Sequence, residues 1–232
     1  RTWGAEVFPG SSLPNAMVQL SPVTMFRSGA GYQYEDTLIF GFAHTNKGHW
    51  NLLHLPMLPV TGDVNPDDYS SPFSHDNESA APGYYQVMLE RYGINAELTS
   101  TLRCGYHKYT FPADAQKQLI IDVKRSNNRV RAYDAHKIDE YTFGGNQWGD
   151  GNMFFHAVSN YPVESVEMVQ GENHEVAVVK FADSASAKPL ELKIGFSFVN
   201  GENAKMNLEA EVGDKSFSQI RKEADDVWND LL

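Results

Sequence analysis

The sequence lacks any hydrophobic run close to the roughly 20 residues that a membrane-spanning helix needs, so we expect no membrane span. It has one cysteine, Cys104, which excludes an intrachain disulfide framework and is expected to be a buried thiol. Positive charge is also scarce, since 19 Lys and Arg stand against 30 Asp and Glu, a formal net charge of −11. Nucleic-acid binding is not expected, because phosphate contacts need clustered positive charge and no basic run is present.

The sequence does contain enough apolar residues for a folded core, since 41% of them are hydrophobic and 12% aromatic. Beyond residue 82, apolar and polar residues alternate with the period of two that is typical of half-buried strands, most clearly from Leu190 to Phe198. Related segments occur at 85–89, 94–98, 109–111, 119–123 and 176–179. Turn-forming residues are expected to separate strands at Asn127-Asn128, Gly144-Gly145-Asn146 and Gly171-Glu172-Asn173. The sequence therefore predicts an all-β fold, an antiparallel β-sandwich.

A single helix is predicted at the C-terminal end of the chain. Ser216 and Gln219 have the spacing of a capping box. Apolar residues follow at helical spacing: Phe217, Ile220, Ala224, Val227, Trp228 and Leu231. We predict a β-sandwich domain over residues 1–215 and, over 216–232, the start of a helix that links it to a further domain. The alternative is a C-terminal helix docked on its own sheet.

Residues 1–82 differ from the rest of the chain. They hold eight of the eleven prolines and four of the eight histidines. Proline cannot donate to a strand ladder, so this region is predicted to be loop-rich. Long irregular segments inside compact domains often carry function, and we expect this region to face a binding pocket.

Aromatic rings in the loop-rich region stand beside amide, imidazole and ammonium groups, a combination typical of sugar-binding sites. A ring covers the apolar face of a sugar, and polar groups pair with its hydroxyls. The candidate substrate-binding residues are Tyr32, Asn46, Lys47, His49, Trp50 and Asn51. The alternative for Trp50 is a place in the core.

No metal-binding residue is predicted within the chain. Three histidines lie five residues apart, at His44, His49 and His54. This spacing does not match zinc ligands on one face of a helix or strand. The segment 63–74 begins like a calcium loop, but Asp68 and Ser74 occupy the positions that need Gly and Glu.

No catalytic residue is predicted either. Acidic residues occur as close pairs: Glu35 and Asp36, Asp67 and Asp68, Asp76 and Glu78, Asp139 and Glu140. A glycosidase needs two carboxyl groups that face each other across a bond, and neighbours on a strand point to opposite faces. Each pair is therefore predicted to be solvated surface.

Several segments occur in an order that is more specific than any one of them. They are Phe8-Pro9-Gly10 with MVQLSP at 17–22, SGAGYQYED at 28–36 with IFGFAHT at 39–45, PGYYQV at 82–87, AELTST at 96–101, the 103–112 segment, and then 197–199, 204–211 and 224–229. In this order they resemble the N-terminal domain of glycoside hydrolase family 92, the calcium-dependent α-mannosidases found largely in bacteria.

The resemblance implies a β-sandwich followed by a larger (α/α)₆ barrel, reached through the linking helix. It also implies that the general acid, the general base and most calcium ligands lie on that barrel, so this chain alone would be inactive. The expected activity is inverting hydrolysis of α-mannosides in glycans by a periplasmic or secreted bacterial enzyme, with this chain lending loop residues to the pocket. The alternatives are a non-catalytic carbohydrate-binding module and a purely structural sandwich.

The chain departs from the family pattern near its start, where Pro14-Asn15-Ala16-Met17 stands in place of the common Pro-Phe-Gly-Met, and more seriously in one loop. The common family sequence His-Thr-His-Leu-Ser-Gly-Thr-Gly is replaced by HTNKGHWNLLHLP at 44–56. In the family this loop contributes to the part of the pocket that receives the leaving sugar. The resemblance therefore does not extend to linkage or leaving-group specificity.

Overall fold

A computed structural model describes residues 7–46, 52–149, 151–182 and 187–231. Its elements, in chain order, are β1 (Ser11–Ser12), β2 (Gln19–Val23), β3 (Leu38–Ile39), β4 (Gly41–Ala43), β5 (Met57–Val60), β6 (Ser71–Pro72), a 3₁₀ turn (His75–Asn77), β7 (Glu78–Ala81), β8 (Tyr84–Leu89), β9 (Ile94–Ser100), β10 (Cys104–Thr110), β11 (Gln118–Ile121), β12 (Ala132–Lys137), β13 (Thr142–Gly149), β14 (Gly151–Ser159), β15 (Val163–Gln170), β16 (Glu175–Phe181), β17 (Leu190–Ser197), α1 (Gly201–Glu211) and α2 (Phe217–Asn229).

The strands form two large antiparallel sheets and one small one. The first sheet has the order β1-β2-β4-β5-β11-β16-β15, and the second has the order β12-β13-β14-β17-β10-β9-β8-β7. Strands β3 and β6 pair as a separate ribbon. The predicted antiparallel β-sandwich is therefore confirmed.

The core lies between the two large sheets. On β17, Leu190, Leu192, Ile194 and Phe196 are fully buried, whereas Glu191 and Lys193 between them are partly exposed. These residues belong to one buried apolar cluster that contains residues of both sheets, including β11 and β16 of the first. The period of two seen in the sequence is therefore the consequence of one strand face packing against the opposite sheet.

The prediction of a turn at Gly144-Gly145-Asn146 is wrong, because these residues lie inside β13. Glycine is needed there for close approach of the neighbouring strands. A Cβ on Gly145 would lie 2.0 Å from the carbonyl oxygen of Asp134 on β12, and a Cβ on Gly144 would lie 2.9 Å from that of Phe155 on β14. The predicted turn at 171–173 is confirmed between β15 and β16.

Helix α1 was not predicted. It begins after Asn200, whose side chain accepts a hydrogen bond from the Asn203 N–H, and it buries only Ala204 and Leu208. Two buried residues give too weak an apolar stripe for recognition from sequence. The helix packs directly on β17, since a Cβ on Gly195 would lie 2.1 Å from the carbonyl oxygen of Ala204.

Helix α2 confirms the predicted capping box of Ser216 and Gln219. Its first half packs on the outer face of the second sheet, where three of the predicted apolar residues are buried: Phe217, Ile220 and Ala224. Farther along, the indole N–H of Trp228 donates to the Ser12 carbonyl at 2.8 Å. Val227 and Leu231 are 39% and 64% exposed. The apolar stripe is therefore only partly covered by the chain's own sandwich.

Candidate functional site at the loop end of the sandwich

Two of the six predicted substrate-binding residues, Tyr32 and Asn46, lie among the described residues. The other four lie outside them: Lys47, His49, Trp50 and Asn51. The site can therefore be described through the loops on either side of 47–51 and through the residues that hold those loops in place.

One asparagine joins three loops at this end of the sandwich. The Asn127 side chain accepts from the Arg27 N–H at 2.6 Å and donates to the Ser28 carbonyl at 2.9 Å. Its main-chain N–H donates to the Leu52 carbonyl at 3.1 Å. The segments 24–37, 52–56 and 122–131 are consequently held side by side.

Gln147 on β13 connects the same loops from the interior. It is fully buried, and its Nε2 donates to the carbonyls of Val123 at 2.9 Å and Arg125 at 3.1 Å. Its Oε1 accepts from the Leu55 N–H at 3.1 Å. The amide of Gln147 thus satisfies buried main-chain groups of two loops, which loops of irregular structure cannot satisfy by themselves.

A buried chain of side chains crosses between the two sheets beneath the loops. His44 Nδ1 lies 3.1 Å from the Leu55 carbonyl oxygen and must carry hydrogen. In a neutral His44 ring, Nε2 then accepts from His107 Nε2–H at 3.0 Å. His107 Nδ1 then accepts from the Tyr109 hydroxyl at 2.6 Å. Both rings are neutral in this arrangement, because a protonated imidazole cannot accept a hydrogen bond.

The pKa values of these histidines agree with neutral rings. Burial lowers the pKa of His44 to about 3, and burial followed by the neighbouring His44 lowers the pKa of His107 well below its usual range. His54 Nδ1 lies 3.1 Å from the Thr45 hydroxyl, and burial lowers the pKa of His54 to about 4. These three histidines are therefore structural groups of the loop end.

Asn46 is also buried. Its side-chain nitrogen donates to the carbonyls of Gln19 at 2.8 Å and Ala43 at 3.0 Å. Gly31, the residue before Tyr32, lies against the Asn46 side chain. The structure thus places the main chain just before Tyr32 beside Asn46, and it gives the Asn46 amide a role in the fold. Sugar binding by Asn46 stays a prediction.

Tyr32 meets a carboxylate that was predicted to be solvated. Its hydroxyl lies 3.0 Å and 3.2 Å from the two oxygens of Glu78, which also accept from the Tyr85 hydroxyl at 2.6 Å and from His75 Nδ1 at 2.5 Å. Burial and the Glu78 charge raise the pKa of the Tyr32 hydroxyl. The Glu78 side chain is 9% exposed, so the prediction of a solvated Asp76 and Glu78 pair is wrong for Glu78.

Two exposed rings border the loop end and were not singled out from the sequence. Trp148 is 47% exposed at the end of β13, and Phe198 is 44% exposed just after β17. The Phe198 ring meets the His54 ring edge-on, with centroids 6.0 Å apart. Their positions in the sequence could have identified them as candidates, because each lies at the end of a predicted or observed strand that reaches the loops.

The described residues contain no group of three or more His, Cys, Asp or Glu placed to hold a metal ion. In the calcium-like segment, the Asp67 carboxylate instead accepts from the main-chain N–H groups of Glu172 at 2.6 Å and Asn173 at 3.0 Å. It therefore joins the segment 63–74 to the turn between β15 and β16.

The known proteins that this chain resembles are glycosidases. A secreted glycosidase of Arthroderma benhamiae, otherwise uncharacterised, is 22% identical over an alignment 279 positions long, which covers 99% of this chain and 36% of the relative. A family GH92 α-mannosidase of Bacteroides thetaiotaomicron superposes with a TM-score of 0.87 and 23% identity, over 97% of this chain and 36% of that one. An inverting mannosidase of the same family and species superposes with a TM-score of 0.83 and 22% identity. The superposition covers 97% of this chain and 33% of that one.

The chain thus spans about a third of the length of the relatives it matches. In the part of it that the structure describes, no helix combines the length and hydrophobicity needed to cross a membrane. The model of the glycosyl hydrolase family 92 N-terminal domain matches residues 2–213, nearly the whole sequence. This match covers both sheets, the loop end and α1, and the chain therefore belongs to the N-terminal domain family of glycosyl hydrolase family 92.

Proposed function

We propose that this chain is the N-terminal domain of a bacterial α-mannosidase, secreted or periplasmic, that hydrolyses α-mannosidic bonds in glycans with inversion. The observation that carries the proposal is the family match over residues 2–213. Two relatives of similar fold support it, since one is described as an α-mannosidase and the other as an inverting mannosidase. The description of the fungal relative as secreted supports the location outside the cytoplasm.

In this proposal the chain supplies loop residues to the substrate pocket, and a C-terminal domain supplies the acid, the base and the calcium site. The buried carboxylate at the loop end supports this division. Asp122 is fully buried and accepts from the Tyr69 hydroxyl and from His174 Nε2, and Arg125 lies 3.6 Å from it. A carboxylate held in this way maintains the fold, whereas an inverting enzyme needs two carboxyl groups about 6.5–9.5 Å apart across the scissile bond.

The decisive experiment compares the 232-residue chain with the product of its complete reading frame. We expect the complete product to release nitrophenol from an aryl α-mannoside, and to lose this activity when calcium is removed with a chelator. The chain alone should show no release above the enzyme-free background. Calcium-dependent hydrolysis by the purified chain alone would overturn the division of roles.

Trp50 is proposed to stack on the leaving sugar. Covering one sugar face removes roughly 60–80 Å² of apolar surface from water, or about 1.5–2 kcal/mol. Replacing Trp50 with alanine in the complete protein should therefore lower kcat/KM about ten- to thirtyfold, with little change in the free energy of unfolding. A core tryptophan would behave differently, since its loss costs about 3–5 kcal/mol of stability. Lower stability with unchanged kcat/KM would place Trp50 in the core.

A second candidate function is a non-catalytic carbohydrate-binding module. The exposed rings of Trp148 and Tyr34, which are 47% and 65% exposed, favour it. Sugar binding by the chain, together with absence of hydrolysis by the complete product, would select this function.

A further inference from the structure

One exposed aromatic ring in the described chain is held rigidly although it is not buried. The Tyr34 ring is stacked on the His75 ring, with centroids 4.0 Å apart and planes inclined by 1°. Tyr34 is 65% exposed, so the ring face opposite His75 is open to solvent. We refer to Tyr34, His75 and Glu78 together as the Tyr34 platform.

The lower ring of the platform is fixed at both nitrogens. His75 Nδ1 lies 2.5 Å from a Glu78 carboxylate oxygen, and His75 Nε2 lies 2.6 Å from the Tyr34 main-chain carbonyl oxygen. Both partners only accept hydrogen bonds, so both nitrogens carry hydrogen and the ring is an imidazolium ion. The hydrogen bond to Glu78 is the main cause of a raised His75 pKa.

Glu78 is fixed in turn by residues of the sandwich. The hydroxyls of Tyr32 and Tyr85 donate to its carboxylate, and Tyr85 is fully buried in the core. The edge of Phe73 also contacts the His75 ring, at a centroid distance of 5.3 Å. The position of the exposed ring is therefore determined by a buried residue, through Glu78 and His75, before any ligand is present.

Holding an exposed ring in one orientation costs conformational entropy, and no burial of the ring compensates for it. Such an orientation is an advantage where a flat apolar face must bind a partner, because the entropy is then lost before binding and not during it. We propose that the Tyr34 platform binds a neutral hexose unit of a glycan, with the open face of Tyr34 covering the apolar face of the sugar ring. The choice of mannose-containing glycans as the ligand rests on the function proposed above.

The charges around the platform decide the class of sugar. Glu35 and Asp76 are exposed, Asp36 is partly exposed, and the chain as a whole carries a net charge of −11. Carboxylates accept hydrogen bonds from sugar hydroxyls and repel anionic groups. A neutral glycan therefore fits this surface, and a polyuronate or a sulfated glycan does not.

The test is native electrophoresis of the 232-residue chain in gels that contain yeast mannan, polygalacturonate or no polysaccharide. We expect mannan to retard the wild-type chain and polygalacturonate not to. Replacing Tyr34 with alanine should weaken the apparent affinity for mannan about tenfold, the effect of losing one stacked sugar face. Tyr34→Phe should keep most of the affinity, since it keeps the ring. Tyr141→Ala is the matched control, because Tyr141 is 42% exposed at the distant turn before β13.

His75 is a positioning residue, and pH gives a readout that a purely structural role would not. Mannan affinity of the wild-type chain should fall as pH rises through the raised His75 pKa and the imidazolium ion is lost. The groups that face this ring are the Glu78 carboxylate, the Tyr34 carbonyl, the Asp76 carboxylate and the edge of Phe73. His75→Asn should bind more weakly at pH 6 and show no such decline.

Three results would overturn the proposal: no retardation of the wild-type chain by mannan, equal retardation of Tyr34→Ala and wild type, or stronger retardation by polygalacturonate. These results are separable from failure of the proposed function. Loss of mannan binding with intact hydrolysis by the complete product rejects the platform alone. Mannan binding without such hydrolysis rejects the α-mannosidase assignment.

Discussion

Lowering the pH from 7 to 5 should remove roughly 5 kcal/mol from the free energy of unfolding, because His44, His54 and His107 are buried as neutral rings. Burial lowers the folded pKa to about 3 for His44 and about 4 for His54, against about 6.5 in an unfolded chain. The unfolded chain therefore binds more protons below pH 6.5. Stability is fully present above that pH and declines as pH falls towards the folded values, by about 2 kcal/mol for each histidine at pH 5.

Other histidines modify this decline. Burial also lowers the pKa of the half-buried His156, which adds a smaller effect of the same sign. The pKa of His75 is raised by Glu78, so its contribution increases as pH falls and opposes the decline. A loss of about 5 kcal/mol is comparable to the whole stability of many domains, and acid unfolding near pH 5 is the expected result.

The measurement is urea unfolding followed by tryptophan fluorescence between pH 5 and pH 8. Replacing His54 with asparagine should reduce the pH dependence by about a third, since it removes one of the three buried titrating groups. Equal stability at pH 5 and pH 7 in the wild-type chain would contradict the neutral chain of His44, His107 and Tyr109.

Replacing Gln147 with glutamate should destabilise the chain by about 3–5 kcal/mol at pH 7. The substitution keeps the size of the side chain but turns a donor to the carbonyls of Val123 and Arg125 into a buried, negatively charged acceptor. The segments 52–56 and 122–131 should separate as a result, since both depend on this amide. The difference from wild type should shrink at lower pH, where a protonated glutamic acid recovers one donor.

The chain offers a matched control for this change. Gln170 donates from the same atom to the carbonyls of Gly171 at 2.8 Å and His174 at 3.1 Å, but it is exposed. Gln170→Glu should cost no more than about 1 kcal/mol, because water replaces the lost partners. Urea unfolding of both variants gives the two costs, and equal costs would show that burial of Gln147 is not what makes its amide important.

The sequence by itself determined the class of the fold and its family. Strands such as β17 and the cap of α2 follow from short-range patterns, because side-chain alternation and capping involve residues only a few positions apart. The family followed from the order of motifs, each of which is also local. Short-range patterns did not predict helix α1 or the glycines of β13, because both are explained by contacts with other strands. Helix α1 packs on β17, and the glycines allow β12 and β14 to approach β13 closely.

Only the tertiary structure decided which polar residues meet. His44 and His107 are 63 positions apart, Leu55 and Gln147 are 92 apart, and Tyr32 and Glu78 are 46 apart. Each pair depends on strand register and on how loops from different strands pack, and a local pattern contains neither. Glu78 looked like solvated surface from its neighbours, and it became a nearly buried acceptor because Tyr32, His75 and Tyr85 surround it in space. Every buried polar group needs a hydrogen-bond partner. The tertiary structure therefore decides which residue that partner is.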